Sequence, residues 1–351
     1  MSSTRHLRLT VAVAVAAAAG LTLTSPASAH PHKPKPKPAT VESTTPVWKG
    51  LYQTAYSERN DVLWATASTG RPPVTQTALL KLDPDTLEVL GSFTPPLVNE
   101  TTGAREAVYG IDVDDENNTV WVTNTRDNGV AVYSQRTGEH LAFLPNVGHA
   151  REVVVDEKRD LAWATSYNTG EIVAFDTDTF AEKKRIAVEG AGLMGVALDE
   201  RTGKVYATDL NNPRIVQFSP YKDEAVAFHP AGAGAISVSL SRNGRTAYTT
   251  NQTDGTVSVV NLSTSTLKTT IPTGAGALSV ATDERTGRLV VANRVAATVS
   301  VVDPRTGAVQ DLVTQKNPNH VTIVDDTAYV LDKSGAGAEG LDLGYRIDLG
   351  H

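Results

Sequence analysis

Cysteine is missing altogether from the 351 residues of this chain. That absence excludes structural disulfides, a lipid-anchored cysteine, a covalently attached c-type haem and any thiolate metal site. A sustained 3.6-residue apolar period is also missing, so no amphipathic helix is expected. The one long apolar stretch, residues 9–23, is short for a bilayer, and no later run could form a transmembrane helix. Familiar catalytic signatures are lacking as well: there is no Gly-x-Ser-x-Gly elbow, no His-Glu-x-x-His, no Walker loop and no calcium loop. Gly232-Ala233-Gly234-Ala235 and Gly274-Ala275-Gly276-Ala277 open no helix that could hold a phosphate and read as connectors.

Positive charge is in deficit. The chain carries a formal −7; without Arg5 and Arg8 it stands at about −9, and without Lys33, Lys35 and Lys37 at about −12. A globally acidic body is a poor partner for nucleic acid.

What the chain has in abundance is a repeated phrase. Trp64-Ala65-Thr66, Trp121-Val122-Thr123-Asn124, Trp163-Ala164-Thr165, Tyr206-Ala207-Thr208-Asp209, Tyr248-Thr249-Thr250-Asn251, Val290-Val291-Ala292-Asn293 and Tyr329-Val330-Leu331-Asp332 are variants of one pattern. After a first step of 57, the lead residues advance by 42, 43, 42, 42 and 39 positions. Within the fourth repeat, residues 195–199, 204–208, 214–219 and 225–229 alternate as short strands between Gly, Pro, Asn and Asp turns. A unit of roughly 40–45 residues built from four such strands is one propeller blade. The expected fold is all-β: a single seven-bladed β-propeller of four-stranded antiparallel blades over residues 41–351. The bulky leader of each phrase fills the wedge between adjacent blades, which places these aromatics in the core.

Three strands are evident in the last repeat, at 320–324, 327–331 and 345–349. Residues 41–48 have no other partner and are expected to supply the fourth, a 3+1 closure that covers sheet edges.

Residues 1–29 read as a signal peptide with Ala27-Ser28-Ala29 as its cleavage site, and the mature protein is expected to be secreted. Residues 30–40 form a Pro/Lys-rich extended linker. It is a spacer or, through Lys33, Lys35 and Lys37, a contact for anionic cell-wall polymers.

The phrases at 121–124, 206–209 and 248–251, with Val299-Ser300-Val301-Val302-Asp303-Pro304-Arg305-Thr306-Gly307, resemble the YVTN-family β-propeller repeat of YncE-like secreted or periplasmic proteins. The resemblance spans roughly residues 46–350. It implies a propeller and, for one branch, DNA binding.

Function is expected where the repeats differ. The first position of each inner strand, facing the channel mouth, gives the ring Tyr52, Tyr109, Arg151, Met194, Ile236, Leu278 and His320. One half of that ring is polar and the other apolar. Extra length at 66–78, 95–107 and 333–340 falls on the same face, where binding loops gather over a rigid scaffold. Candidate ligand contacts there are Tyr52, Arg105, Glu106, Tyr109, Arg126, His149, Arg151, Tyr167, Asn211, Asn251, Arg294 and His320. Asn124, Asn251, Asn293 and Asp209 also suit a turn-capping role at a strand end.

Three functions fit. The first is a binding or scaffold protein that docks a small amphipathic ligand or a protein segment at the mouth. The second is a propeller hydrolase, lyase or lactonase with a divalent metal on Glu106, Glu152, His149 or His320, although these are scattered without ligand spacing. The third is a cell-wall-polymer or nucleic-acid binder working through Arg105, Arg126, Arg151 and Arg294.

Overall fold

The computed structural model describes residues 37–350. The signal peptide, its cleavage site, Lys33 and Lys35 lie outside these residues. Seven four-stranded antiparallel sheets are present, with one extra two-stranded ribbon of Leu97–Asn99 and Ala104–Arg105 between the first and second. No helix of the described residues is long and apolar enough to cross a membrane.

Each blade begins with an inner strand: Leu51–Ser57, Ile111–Asp114, Ala150–Asp156, Leu193–Asp199, Ala235–Leu240, Ala277–Thr282 and Pro318–Val324. Each inner strand packs against those of both neighbouring blades, and the last packs against the first, so the sheets form a closed ring. The second strands carry the phrases, from Val62–Thr69 in blade 1 to Thr327–Asp332 in blade 7, and are almost wholly buried. Outer strands such as Thr266–Pro272 are mostly exposed, as the outer rim of a wheel must be.

The phrase leaders lie between blades. Trp64, Trp121 and Trp163 have no exposed surface. Trp64 of blade 1 packs on Val108, Val120, Val122 and Tyr133 of blade 2, and Trp121 packs on Ala150, Val153 and Ala162 of blade 3. Tyr206 and Tyr248 bridge onward in the same way, to Val238 and Ala247 and to Ala277 and Leu289. Tyr329 closes the circuit against Leu51 and Leu63 of blade 1. Full burial of such rings, worth roughly 25 cal/mol per Å², is the main attraction holding blade to blade.

The closure is of the 3+1 kind. Thr40–Pro46 pairs antiparallel with Leu343–Asp348, in an order that continues through Thr327–Asp332 to Pro318–Val324. Lys37 already donates its backbone N–H to the Gly350 carbonyl at 3.0 Å, so ordered pairing begins inside the Pro/Lys-rich stretch.

Candidate functional site: the mouth of the channel

The inner strands do not run straight into the mouth. Register shifts fall between Leu51 and Thr54, Ala150 and Val153, and Leu193 and Val196, leaving Tyr52 and Gln53, Arg151 and Glu152, and Met194 and Gly195 outside the ladder. Such a bulge re-aims side chains, here toward the channel axis.

The threonine of the phrase occupies the bulge. Its hydroxyl accepts the freed N–H of its own blade: Gln53 to Thr66 at 3.3 Å, Gly110 to Thr123 at 2.8 Å, Glu152 to Thr165 at 3.2 Å and Gly195 to Thr208 at 2.9 Å. The same hydroxyl donates to the carbonyl of the next blade's mouth residue. Thr66 reaches Tyr109, Thr123 reaches Arg151 at 2.9 Å, Thr165 reaches Met194 at 2.6 Å, Thr208 reaches Ile236 at 3.1 Å and Thr250 reaches Leu278 at 3.2 Å. Ala292 and Leu331 interrupt the series. At the second gap Asn319 donates to the Tyr52 carbonyl at 2.8 Å instead. This threonine therefore positions the site, whereas from sequence alone it reads only as strand-forming. Thr165→Val is expected to leave the Met194 carbonyl and Glu152 N–H without a partner and to cost about 1–3 kcal/mol. A denaturant midpoint unchanged by the substitution would show that the clamp carries no energy.

Gly195 fits the same geometry. A Cβ there would lie 2.6 Å from the Ile236 carbonyl oxygen, so only glycine allows blade 5 to approach so closely.

The mouth opens into a cavity of about 110 Å³ lined by Tyr52, Gln53, Tyr109, Gly110, Arg151, Glu152, Met194, Ile236, Leu278, Ser279, Arg294 and Asn319. Six of the seven expected ring residues are among them; His320 is not. The correction has a simple cause. Blade 7 turns from its inner to its second strand through Asp325 and Asp326 alone, whereas blade 4 uses Glu200 to Gly203, so counting back from Tyr329 has to stop at Asn319. His320 lies one residue deeper, where its Nδ1 accepts the Thr54 N–H at 3.2 Å and burial pushes its pKa down to about 4.

Tyr52 and Tyr109 meet edge to face, their centroids 4.6 Å apart. Val74 and Ala107, from the long loop and crossover of blade 1, wall them in. Around the pair stand four cations. Arg126 lies beside Tyr109, opposing the upward push of burial on its hydroxyl, and Arg151 and Arg294 lie within electrostatic reach of Tyr52. Lys333 places Nζ 3.2 Å from the Tyr52 ring centroid and donates to the Ser68 carbonyl at 3.3 Å. Burial, helped by Arg294 and opposed by Asp342, lowers its pKa to about 8. Burial also pushes Arg151 downward, with Glu152 opposing. Among the described residues none of these four cations forms an ion pair with a carboxylate within 4 Å.

Glu152 forms the neck beneath them. Its Oε1 accepts from Gln53 Nε2 at 3.1 Å and its Oε2 accepts the Val196 N–H at 3.0 Å. Burial raises its pKa, against the pull of these bonds and of Arg151. Below the neck a wider cavity of about 990 Å³ is bordered by Glu58, Asp112, Glu200, Glu284 and Asp325. Asp112 is pushed up to about 7 there by burial. The two ends of the channel thus differ in sign.

The remaining candidates are divided. His149 lies against Tyr167 with the rings tilted by 56° and their centroids 5.6 Å apart, and burial with Arg151 and Arg126 lowers its pKa. Arg105 is held by the Pro95 carbonyl at 2.8 Å in the crossover ribbon. Glu106 turns into blade 2, 3.2 Å from His140 Nε2, where burial and Asp127 raise it to about 7. Asn211 caps a turn through the Gly190 carbonyl at 3.3 Å. Asn251 is wholly buried, donating to Thr256 and Ser258 at 2.9 Å, and belongs to the blade rather than to the mouth. Glu106, Glu152, His149 and His320 do not converge: among the described residues no three His, Asp or Glu are grouped as a metal would require. Lys333, Asn319 and Gln53 were absent from the expected set. The long loop at 333–340 signalled the first, and matching blade 7 to its neighbours residue by residue finds the second.

No family model matches the chain. It is 29% identical over 180 residues to the uncharacterized protein YncE of Escherichia coli strain K12, covering 48% of each chain. Against the YncE of Salmonella typhi it is 26% identical over 174 residues, covering 46% of this chain and 47% of that one. The chain therefore spans about half the length of the curated relatives it matches. Among solved structures, a Kuenenia stuttgartiensis hydrazine synthase chain aligns with a TM-score of 0.69 at 13% identity, over 81% of this chain and 92% of that one. A streptogramin B lyase aligns with a TM-score of 0.58 at 14% identity, over 68% and 83%. Identities this low speak for the fold alone. Seven four-stranded blades closed 3+1 make this chain a β-propeller, similar over about half its length to YncE.

Proposed function

We propose that the chain is an exported binding protein that docks a small amphipathic ligand, or an amphipathic segment of a protein, at the mouth of its channel. The observation that carries this reading is the division of the mouth. Tyr52, Tyr109, Arg151 and Asn319 occupy one arc, and Met194, Ile236 and Leu278 occupy the other. Polar groups that converge beside an apolar wall are the usual make-up of a ligand site. The export signal read in residues 1–29 supports action outside the cytoplasm. The fixed backbone beneath the ring supports binding, because little ordering has to accompany it.

The test is a thermal-shift screen of small amphipaths against the wild-type protein and a Met194→Gln, Leu278→Gln variant. Any amphipath that stabilises the wild type is expected to lose most of its shift in the variant. Equal shifts in both proteins would place binding elsewhere.

A further inference from the structure

We infer that the polar end of the ligand is anionic, a carboxylate or phosphate group seated among Arg126, Arg151 and Arg294, with Lys333 nearby over Tyr52. This inference rests on the docking reading above and names the chemical class of its ligand.

The first argument is electrostatic. The chain carries a formal −7, yet the mouth collects four basic side chains, none with a carboxylate partner within 4 Å among the described residues. Several basic groups elsewhere are paired, such as Arg185 with Glu171 and Glu182, Arg214 with Asp209 and Arg159 with Asp156. Like charges held together repel; Glu152 near Arg151 and Asp342 near Lys333 offset this without pairing, and an anion seated among the cations relieves the rest.

The second argument is the state of the nearest acid. Glu152 is the carboxylate beside Arg151, but both its oxygens are engaged, by Gln53 and by the Val196 N–H. Burial raises its pKa, against the pull of Arg151. The guanidinium therefore keeps its donors for a group entering from above, and Arg is suited to grip carboxylate or phosphate with two parallel bonds.

The third argument is size and shape. A cavity of about 110 Å³ holds roughly three to four waters. That is room for a head group, not for a whole amphipath. The tail of such a ligand would lie over Met194, Ile236 and Leu278 and leave the mouth on the apolar side. Below the neck, Glu58, Glu200 and Glu284 oppose passage of an anion, so the ligand is held at one end rather than conducted through.

Isothermal titration with octanoate, octyl phosphate, octanol and octylamine tests the inference. Octanoate and octyl phosphate are expected to bind, octanol at least tenfold more weakly and octylamine not at all. The Arg126→Gln, Arg151→Gln, Arg294→Gln variant is expected to lose at least tenfold in affinity for both anions and to keep that for octanol. Arg294→Gln alone, on a surface loop, is expected to show a smaller loss in the same direction, and it serves if the triple variant does not fold. Should octanol bind as tightly as octanoate, with both weakened by Met194→Gln and Leu278→Gln, the anion assignment falls and the docking reading stands. Should none of the four probes bind the wild-type protein, both fall.

Discussion

A chain beginning at residue 49 is expected to melt roughly 10 °C or more below the full-length protein. The segment removed contains Thr40–Pro46, the outer strand of blade 7, and its pairing with Leu343–Asp348 disappears with it. More than one blade loses support. Ala39 exchanges two hydrogen bonds with Gln310 of blade 6, at 2.9 and 2.7 Å, and Val47 is buried with Leu51, Leu63 and Tyr329 at the junction of blades 7 and 1. Trp48 accepts the Asp342 N–H at 2.8 Å, and the Asp342 carboxylate in turn holds the N–H groups of Gly50 and Leu51. At about 1 kcal/mol net for each hydrogen bond, plus about 1.5–3 kcal/mol for burying Val47, the loss amounts to several kcal/mol. Calorimetry of the shortened chain reads it directly. A melting temperature within a degree or two of the original would mean that the closure contributes nothing.

Asp332→Asn is expected to stabilise the protein by on the order of 2–3 kcal/mol at pH 7.5. Asp332 ends the second strand of blade 7 with no exposed surface, and neither carboxylate oxygen makes a well-formed hydrogen bond, although Ser334 and Thr314 lie alongside. Burial, with Asp342 adding to it, raises its pKa from 3.8 to about 6. Because the folded-state value is the higher one, ionisation works against folding. The penalty is absent below pH 3.8, grows up to about pH 6 and is full above that. The matching residues in blades 2, 5 and 6 are Asn124, Asn251 and Asn293, all wholly buried, so blades of this build accommodate an amide at this position. In blade 4 the matching Asp209 is paired with Arg214 at 2.8 Å, which Asp332 lacks. Urea denaturation at pH 7.5 and at pH 3.5 separates the causes. An equal gain at both values would rule out an electrostatic origin.

Much of this architecture is legible in the chain itself, because each blade must bury a bulky group against the next and the spacing of Trp64, Trp121, Trp163, Tyr206 and Tyr248 records that demand. The mouth was legible wherever the turn between inner and second strands keeps its length. It failed at blade 7, where Asp325 and Asp326 shorten that turn by two residues, so the step of 12 from mouth to phrase leader becomes 10 and ends at Asn319 rather than His320. For Lys333 the extra length at 333–340 marked the loop but not the residue: the loop's path obeys no period, and only the folded chain brings its Nζ over Tyr52. The clamps made by Thr123, Thr165 and Thr208 were hidden because a threonine on a strand already has an adequate explanation in β-propensity. Asn251 misled in the opposite sense, since a strand-end amide that completes a blade looks the same in sequence as one that greets a ligand.

The threonine clamps have a wider implication. They grip main-chain carbonyls, so the grip does not depend on which side chain Tyr109, Arg151, Met194, Ile236 or Leu278 happens to carry. The hub behaves as a set of sockets whose fittings can be exchanged one at a time while the frame stays in register. Wheels of the same build could diverge in what they recognise through a handful of substitutions there, and a designer could retune this one by the same route.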